Sequence, residues 1–443
     1  MEWIRPEDSG YDEARKLFNA MIDRRPAVIA QCGNPEDVGE ALRYARAHQL
    51  DVAVRSGGHS VAGMSMNDGG LVIDVRPMKT VTVDSGAQTA TVGGGVTWGE
   101  FDRAAQSYGL AVTGGRVSTT GVAGFTLGGG SGWMERTWGL ACDNLVSVDL
   151  VTAAGELVTA SEQENPELFW ALHGAGGNFG VAVSLTFRMH QVGEQSLAGL
   201  MLWPAEAAPQ VARSFRDFAP DAPEGVGTAL ASVIAPPEEF VPAELQNKPA
   251  LGVVFVHAGD RGTGEEALAT VRSWGPAVDI VAPRPYAEFQ SMLDDQPDQF
   301  NYWSAEYHDE FPDPALDVFL RAGANLPHPS SQLLLLPWGG AVAQVDDTST
   351  PMARRDATWV SHPFALWQDR AQTEEAIEWA RSFRREISGY ATGGVYLNFI
   401  GHEGQDRIKA AFGEENYNRL ARIKHQYDPL NVFRGNQNIE PAA

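Results

Sequence analysis

The sequence reads as an α+β protein of two domains, on three observations. Its 443 residues are more than a single hydrophobic core usually serves. Twenty-five of its 47 glycines fall between Gly57 and Gly180, among short Val-containing runs and turn signals, which marks a strand-dominated first part. From about Gln191 glycine thins and prolines multiply (Pro204, Pro209, Pro220, Pro223, Pro236, Pro237). Strand-like runs there interleave with helix-like ones, the pattern of a sheet backed by helices.

In chain order, Asn34-Pro35-Glu36 starts a helix, with a capping side chain, a first-turn proline and an acid at the positive end; Val38, Leu42 and Ala45 supply its apolar stripe. Asp51 to Arg55 reads as a strand. Leu71 to Val75, Thr80 to Asp84 and Thr89 to Val92 follow with strand alternation. Thr97-x-x-Glu100 is a capping box opening a helix with Phe101, Ala105 and Tyr108 on one face and Gly109 as its stop. Past Gln191 the strands expected are Leu251 to His257, Gln332 to Leu336 and Thr358 to Leu366, and the helices Glu265 to Trp274, Pro314 to Ala322 and Glu374 to Ile387. A last amphipathic helix around Asn416 to Tyr427 ends at Asp428-Pro429, before a polar Asn436-Gln-Asn438. There is no internal repeat at the 20–50 residue period of solenoids.

Charge and composition exclude several functions. A net charge of -24 repels a polyphosphate backbone, so nucleic acid is not an expected partner. No apolar run reaches the roughly 18 residues of a membrane span, and the opening Met-Glu-Trp-Ile-Arg-Pro-Glu-Asp has neither the basic nor the apolar part of a signal peptide, which reads as a soluble, cytoplasmic protein without a membrane partner. Two cysteines, Cys32 and Cys142, supply neither a disulfide framework nor a zinc site. No His/Asp/Glu set has a metal-binding spacing, and a serine-hydrolase elbow is missing.

The chemistry lies in the glycines. Arg55-Ser-Gly-Gly-His59-Ser60 follows a strand, and its small residues let backbone N–H groups converge on an anion such as a phosphate. A second cluster, Gly121-Val-Ala-Gly124-Phe-Thr-Leu-Gly128-Gly129-Gly130-Ser-Gly132, and a third, Gly174-Ala-Gly176-Gly177-Asn-Phe-Gly180, offer main chain to a flat ligand. Three clusters point to an extended cofactor. Neither the G-x-G-x-x-G fingerprint nor the Walker lysine loop is present. Any one cluster taken alone serves turns and bulges equally well.

These residues resemble a family. Arg55-Ser-Gly-Gly-His59-Ser, Leu71-Val-Ile-Asp-Val75, the triple glycine at 128 to 130, Trp138-Gly-Leu-Ala-Cys-Asp-Asn144, Glu167-Leu-Phe-Trp170, Gly176-Gly-Asn-Phe-Gly-Val181 and Tyr427-Asp-Pro-Leu-Asn431-Val-Phe-Arg occur in an order that is similar to the berberine bridge enzyme-like flavoproteins, in the vanillyl-alcohol oxidase and p-cresol methylhydroxylase (VAO/PCMH) superfamily. The resemblance implies a two-domain α+β protein: an FAD-binding domain from residues 1–190 completed by 395–443, and a substrate domain, 191–394, with a mainly antiparallel sheet backed by helices. It places the cofactor against Arg55, Ser56, Gly57, Gly58, His59, Ser60, Gly121, Gly124, Gly128, Gly129, Val181, Asn436 and Asn438. It implies a covalent bond from His59 to the flavin 8α-methyl, which makes the flavin a stronger oxidant. The cysteine that gives some relatives a second link is replaced by Gly121, so no second link is expected, and Cys142 reads as a small buried hydrophobe.

The implied activity is transfer of hydride from a small-molecule amine or alcohol to flavin N5, with oxygen as acceptor and hydrogen peroxide as product. Two positions where relatives carry a base are changed. Phe399 ends Tyr396-Leu-Asn398-Phe399 where plant members have tyrosine, and Gln344 stands in the strand motif Gly339-Gly-Ala-Val-Ala-Gln344 where some have glutamate. That leaves a neutral amine open, since its lone pair stabilises the cation left by hydride loss. Candidate catalytic residues are Asn398, Gln344, Tyr396, Tyr302 and Tyr307, with Trp303, Glu306 and His308 beside them; Ser304 stands where relatives often have lysine. A carbohydrate oxidase, a dehydrogenase using another acceptor, and a flavin-binding protein without turnover remain alternatives.

Overall fold

The computed structural model describes residues 1–294, 296–346 and 348–443. Strands Val28–Gln31 and Val52–Arg55 flank Leu71–Asp74, both parallel to it, and Glu2–Ile4 adds an antiparallel edge. Parallel neighbours need a crossover. Helix Pro35–His48 crosses from Val28–Gln31 over the sheet to Val52–Arg55, capped by the Asn34 side chain, which accepts from the Asp37 N–H at 2.9 Å. A second, antiparallel sheet runs in the order Val81–Asp84, Thr89–Gly93, Val181–Arg188, Leu145–Val151, Leu157–Ser161. Leu71 and Ile73 of the first sheet, Val151, Val181 and Val183 of the second, and Val38 and Leu42 of the helix form one buried cluster.

A larger antiparallel sheet, nine-stranded among the described residues, follows. Its centre is Pro249–His257, Val226–Ile234, Gln332–Pro337 and Trp359–Trp367, with Phe300–Trp303 at one margin and Ser196–Pro204 toward the other. Strand periodicity divides its two faces. Leu251, Val253, Leu333 and Leu335 pack against helices Ala208–Phe218, Arg261–Arg272, Asp313–Gly323 and Thr373–Ile387 through Phe215, Leu268, Phe319 and Phe383. Val254, Val256, Leu334 and Leu336 face the other way and join the cluster containing Trp98, Leu127 and Tyr396. That second face is where the two parts of the molecule meet.

Helices Gln405–Phe412 and Glu414–Tyr427 bring the chain back to the first part. There the fully buried Lys424 ammonium donates to the Asn178 carbonyl and the Asp428 carboxylate, each at 2.7 Å, and to the Phe433 carbonyl at 3.0 Å. A charge without water needs such a set of partners. The Asn178 side chain closes the contact, donating to the Gln437 carbonyl and accepting from the Ile439 N–H.

Three local expectations are corrected. Helix Trp98–Gln106 ends before Tyr108, which is exposed because Gly109 turns the chain at a φ of +67°. Helix Arg261–Arg272 starts four residues ahead of Glu265, because the Asp260 side chain caps the Thr263 N–H at 3.0 Å. The Gln344 motif is not a strand: Gly339 and Gly340, with φ of +87° and +57°, break the chain after Pro337, and Ala341–Gln344 is a short helix. Among the described residues no helix is long and apolar enough to cross a membrane.

Candidate functional site

A cavity of about 300 Å³ runs between the two parts, and all three glycine clusters line it. Its first wall is the turn after strand Val52–Arg55. The Arg55 guanidinium bends back onto the Ala14 and Lys16 carbonyls and anchors the turn, while Ser56, Gly57, Gly58, His59 and Ser60 face the cavity. Gly57 is obligatory, since a Cβ there would lie 2.1 Å from the Gly121 nitrogen; the converse Cβ on Gly121 would lie 2.2 Å from the Gly57 nitrogen. The first two clusters therefore touch main chain to main chain.

His59 stands at this junction. Its Nε2 is 2.8 Å from the Thr119 hydroxyl and its Nδ1 3.3 Å from that of Thr120. Phe18 stacks on the ring at 4.0 Å and meets Trp303 edge-on at 6.0 Å. Burial holds the imidazole down to about 3, so it is neutral at ordinary pH, the form with a nucleophilic lone pair. Across the domain boundary, Asp294 accepts from the Ser118 N–H at 2.6 Å and its hydroxyl at 2.5 Å, fixing the loop that carries both threonines.

The second wall is the loop after helix Val122–Leu127. Gly129 and Gly130 have φ of +110° and +90°, exposing successive N–H groups on one side. The Tyr396 hydroxyl accepts from the Gly130 N–H at 2.6 Å, the Ser131 N–H at 3.0 Å and the Asn398 amide at 3.1 Å. Asn398 also donates to the Phe125 carbonyl at 3.0 Å. A Cβ on Gly128 would fall 2.1 Å from its Oδ1. Burial pushes the Tyr396 phenol up against the lowering effect of those N–H groups, so it stays protonated and is spent on holding the loop.

The third wall is Gly174 to Gly177 with Asn436 and Gln437 of the returning chain. Cβ atoms at Gly124, Gly176 and Gly177 would meet nothing within 4 Å, so main chain there borders open space. Asn436 donates to the Gly177 and Phe433 carbonyls, leaving its buried Oδ1 without a partner. A row of glycines opening on a cleft, a neutral histidine at one end and an orphaned amide oxygen at the other fit a flat, extended nucleotide cofactor such as FAD.

The remaining wall belongs to the large sheet: Trp303, Leu334, Leu336, His362 and Phe364. His362 and the cavity-lining Arg116 are functional candidates that the sequence did not reveal. Arg116 lies 4.8 Å over the Trp133 ring and donates to the Ser131 and Gly132 carbonyls and to Glu135.

Of the residues singled out from sequence, Ser56, Gly57, Gly58, His59, Ser60, Gly121, Gly124, Gly128, Asn436, Tyr396 and Asn398 are together on this cavity. Arg55, Gly129, Val181 and Asn438 are adjacent in sequence to lining residues without lining it themselves. Tyr302 points to the opposite face of the sheet from Trp303 and accepts from Arg381 at 3.2 Å. Tyr307 is buried against Trp338, 5.4 Å between rings, and Gln344 is exposed on its short helix. His308 is buried and bonded to the Tyr390 carbonyl and the Ser361 hydroxyl, and Glu306 is paired with Arg384 and Arg407. None of these lines the cavity. Cys142 is buried beside Asp143, which holds the buried Arg355 at 2.5 Å.

Comparison with known proteins agrees with this geometry. Residues 26–161 match the family model for an FAD binding domain, and residues 395–440 that for berberine and berberine-like proteins. The (R)-6-hydroxynicotine oxidase of Paenarthrobacter nicotinovorans is 32% identical over 463 residues, covering 99% of this chain and 96% of that protein. The crystal structure of 6-hydroxy-D-nicotine oxidase from Arthrobacter nicotinovorans superposes with a TM-score of 0.89 at 29% identity, covering 100% of this chain and 98% of that one. Berberine bridge enzyme from Eschscholzia californica shares the fold, with a TM-score of 0.89 at 20% identity over 100% of this chain and 97% of its own.

Proposed function

The chain belongs to the berberine bridge enzyme-like FAD-linked oxidoreductases of the VAO/PCMH type, and from that premise we propose that it is an oxidase whose flavin is bonded to His59 and whose substrate is a small-molecule amine or alcohol. The observation that carries this reading is His59 itself: a neutral imidazole presented to a glycine-lined cleft by two threonine hydroxyls. FAD, when bound, supplies the two-electron acceptor that takes hydride at N5 and passes both electrons to oxygen, giving hydrogen peroxide.

The chain's own part is to hold and orient. Ser56 to Ser60 and Gly176 to Gly177 offer backbone to the cofactor, Asn436 offers an unpaired acceptor, and Asn398 and Tyr396 lock the Gly128–Ser131 loop. On the substrate side, Trp303, Leu334, Leu336 and Phe364 exclude water and seat an apolar body. Among the described residues no carboxylate lines the cavity, and Arg116 is the one charged side chain there, which favours a substrate bound uncharged. A neutral amine loses hydride readily because the nitrogen lone pair stabilises the cation left behind. That wall disfavours a carbohydrate oxidase, which needs many polar partners for sugar hydroxyls.

The test is a spectrum of the purified protein after acid precipitation, with an amine and alcohol panel monitored for peroxide. Yellow colour in the wild-type pellet, and its loss in His59→Ala, is the expected result. A wild-type flavin that washes out removes the linkage, and a flavin that no amine or alcohol reduces removes the oxidase.

A further inference from the structure

We propose that His362 selects the substrate, its Nε2 accepting the single N–H or O–H bond of an otherwise apolar, ring-bearing small molecule. This rests on the reading of the cavity as the site of a flavin oxidoreductase and adds the class of molecule it takes.

His362 is placed by register. It lies opposite Leu334 on the neighbouring strand, and Phe364, two residues on, lies opposite Trp303 on the strand beyond. Side chains two apart share a face, so these four form one surface, and all four line the cavity. Among the described residues of this wall, Trp303 and His362 alone carry polar side-chain atoms, and the Trp303 indole N–H already donates to Asn301 at 3.2 Å. The imidazole is the polar group left to meet a ligand.

Its proton is fixed. Nδ1 lies 2.7 Å from the Ser304 carbonyl, which can only accept, so Nδ1 carries the hydrogen and Nε2 the lone pair. Nε2 is buried and has no partner. An unpaired buried acceptor costs about 1–3 kcal/mol, a cost that a ligand donor removes. Phe399 stacks on the ring at 4.2 Å and Phe364 crowds it at 4.0 Å, so it cannot turn away. Burial keeps the imidazole down at about 3, hence a neutral acceptor at every pH of interest.

The carbonyl that orients it is itself held. The Ser304 hydroxyl donates to Glu403 at 2.8 Å, and the Arg407 guanidinium donates to the Ala305 carbonyl at 3.1 Å. Glu403 and Glu306 share Arg384 and Arg407 in a largely buried group of four charges. Such networks fix a hydrogen-bonding group within the tolerance that recognition demands.

The experiment uses the oxidised holoprotein and two redox-inert probes, phenol and its O-methyl ether anisole, followed by perturbation of the flavin spectrum. Wild type is expected to bind phenol at least tenfold more tightly than anisole. His362→Phe abolishes the difference by weakening phenol alone, while His362→Asn, which keeps an oxygen acceptor, restores part of it. Equal binding of the two probes by wild type, no response to phenol, or a preference that survives in His362→Phe overturns the proposal. The wild-type comparison stands even if the variants lose flavin. No turnover enters the readout, so an enzyme that oxidises no amine or alcohol sinks the oxidase reading and leaves the phenol preference to be measured separately.

Discussion

Asp294, on the substrate side of the cavity, grips Ser118 of the other side by both its N–H and its hydroxyl, and the next two residues are the threonines that hold His59. The clasp thus reaches the flavin-bonding candidate without touching it. Two hydrogen bonds to a carboxylate are each worth about 1.5–3 kcal/mol. Asp294→Ala is expected to fold and bind FAD but to leave less than half of the colour in the acid-precipitated pellet; unchanged retention would show that the clasp does not set His59.

Tyr396→Phe removes an acceptor shared by the Gly130 N–H, the Ser131 N–H and the Asn398 amide. At least one of these is left buried and unpaired, so a loss of about 2 kcal/mol or more is expected. Denaturant unfolding of the two holoproteins measures it, and a loss below about 0.5 kcal/mol would mean that the phenol is not what holds the loop.

Gly121→Cys is not expected to create a second flavin link. Its Cβ would stand 2.2 Å from the Gly57 nitrogen and 2.5 Å from the Ser56 hydroxyl oxygen, so the turn bearing His59 must move first. The expected outcome is less soluble, less coloured protein, with peptide mapping showing flavin on the His59 peptide alone.

Asp102 gives a pH dependence. Buried on helix Trp98–Gln106, it accepts from Gln290 at 3.3 Å, and burial raises its carboxyl to about 7 against that bond's opposing pull. A folded-state value above the unfolded one means that its contribution is complete below about pH 4 and is lost as pH rises through about 7. Asp102→Asn is therefore expected to match wild type in stability near pH 4 and to exceed it by about 2–4 kcal/mol at pH 8. Urea midpoints that run parallel across that range would refute it.

Much of the site was legible because local chemistry dictates it. The close approach of Gly57 to Gly121 admits no side chain, and such demands leave glycines in fixed order in the sequence. Asn34 and Thr97 announced their helices in the same way. His362 was not legible, because strand Trp359–Trp367 is covered on both faces and shows no alternation to say which way the ring points. Its side is decided by pairing with Gln332–Pro337, a contact between distant segments; the available signal was a histidine in the middle of a run whose one other polar residue is Ser361. Gln344 was misplaced because a short Ala-Val-Ala run suits strand and helix equally, and the paired positive φ of Gly339 and Gly340 decided between them.

The return of the chain onto Asn178, through Lys424, Gln437 and Ile439, orders events during synthesis. While Tyr396, Asn398 and Asn436 are still inside the ribosome, a nascent polypeptide has its Arg-Ser-Gly-Gly-His turn in the open, but the groups that lock the triple glycine and close the far end of the cleft have yet to emerge. A truncation upstream of Tyr396 therefore strips the lock from the triple glycine and opens the far end of the cleft, while the imidazole keeps Phe18, Thr119 and Thr120 around it.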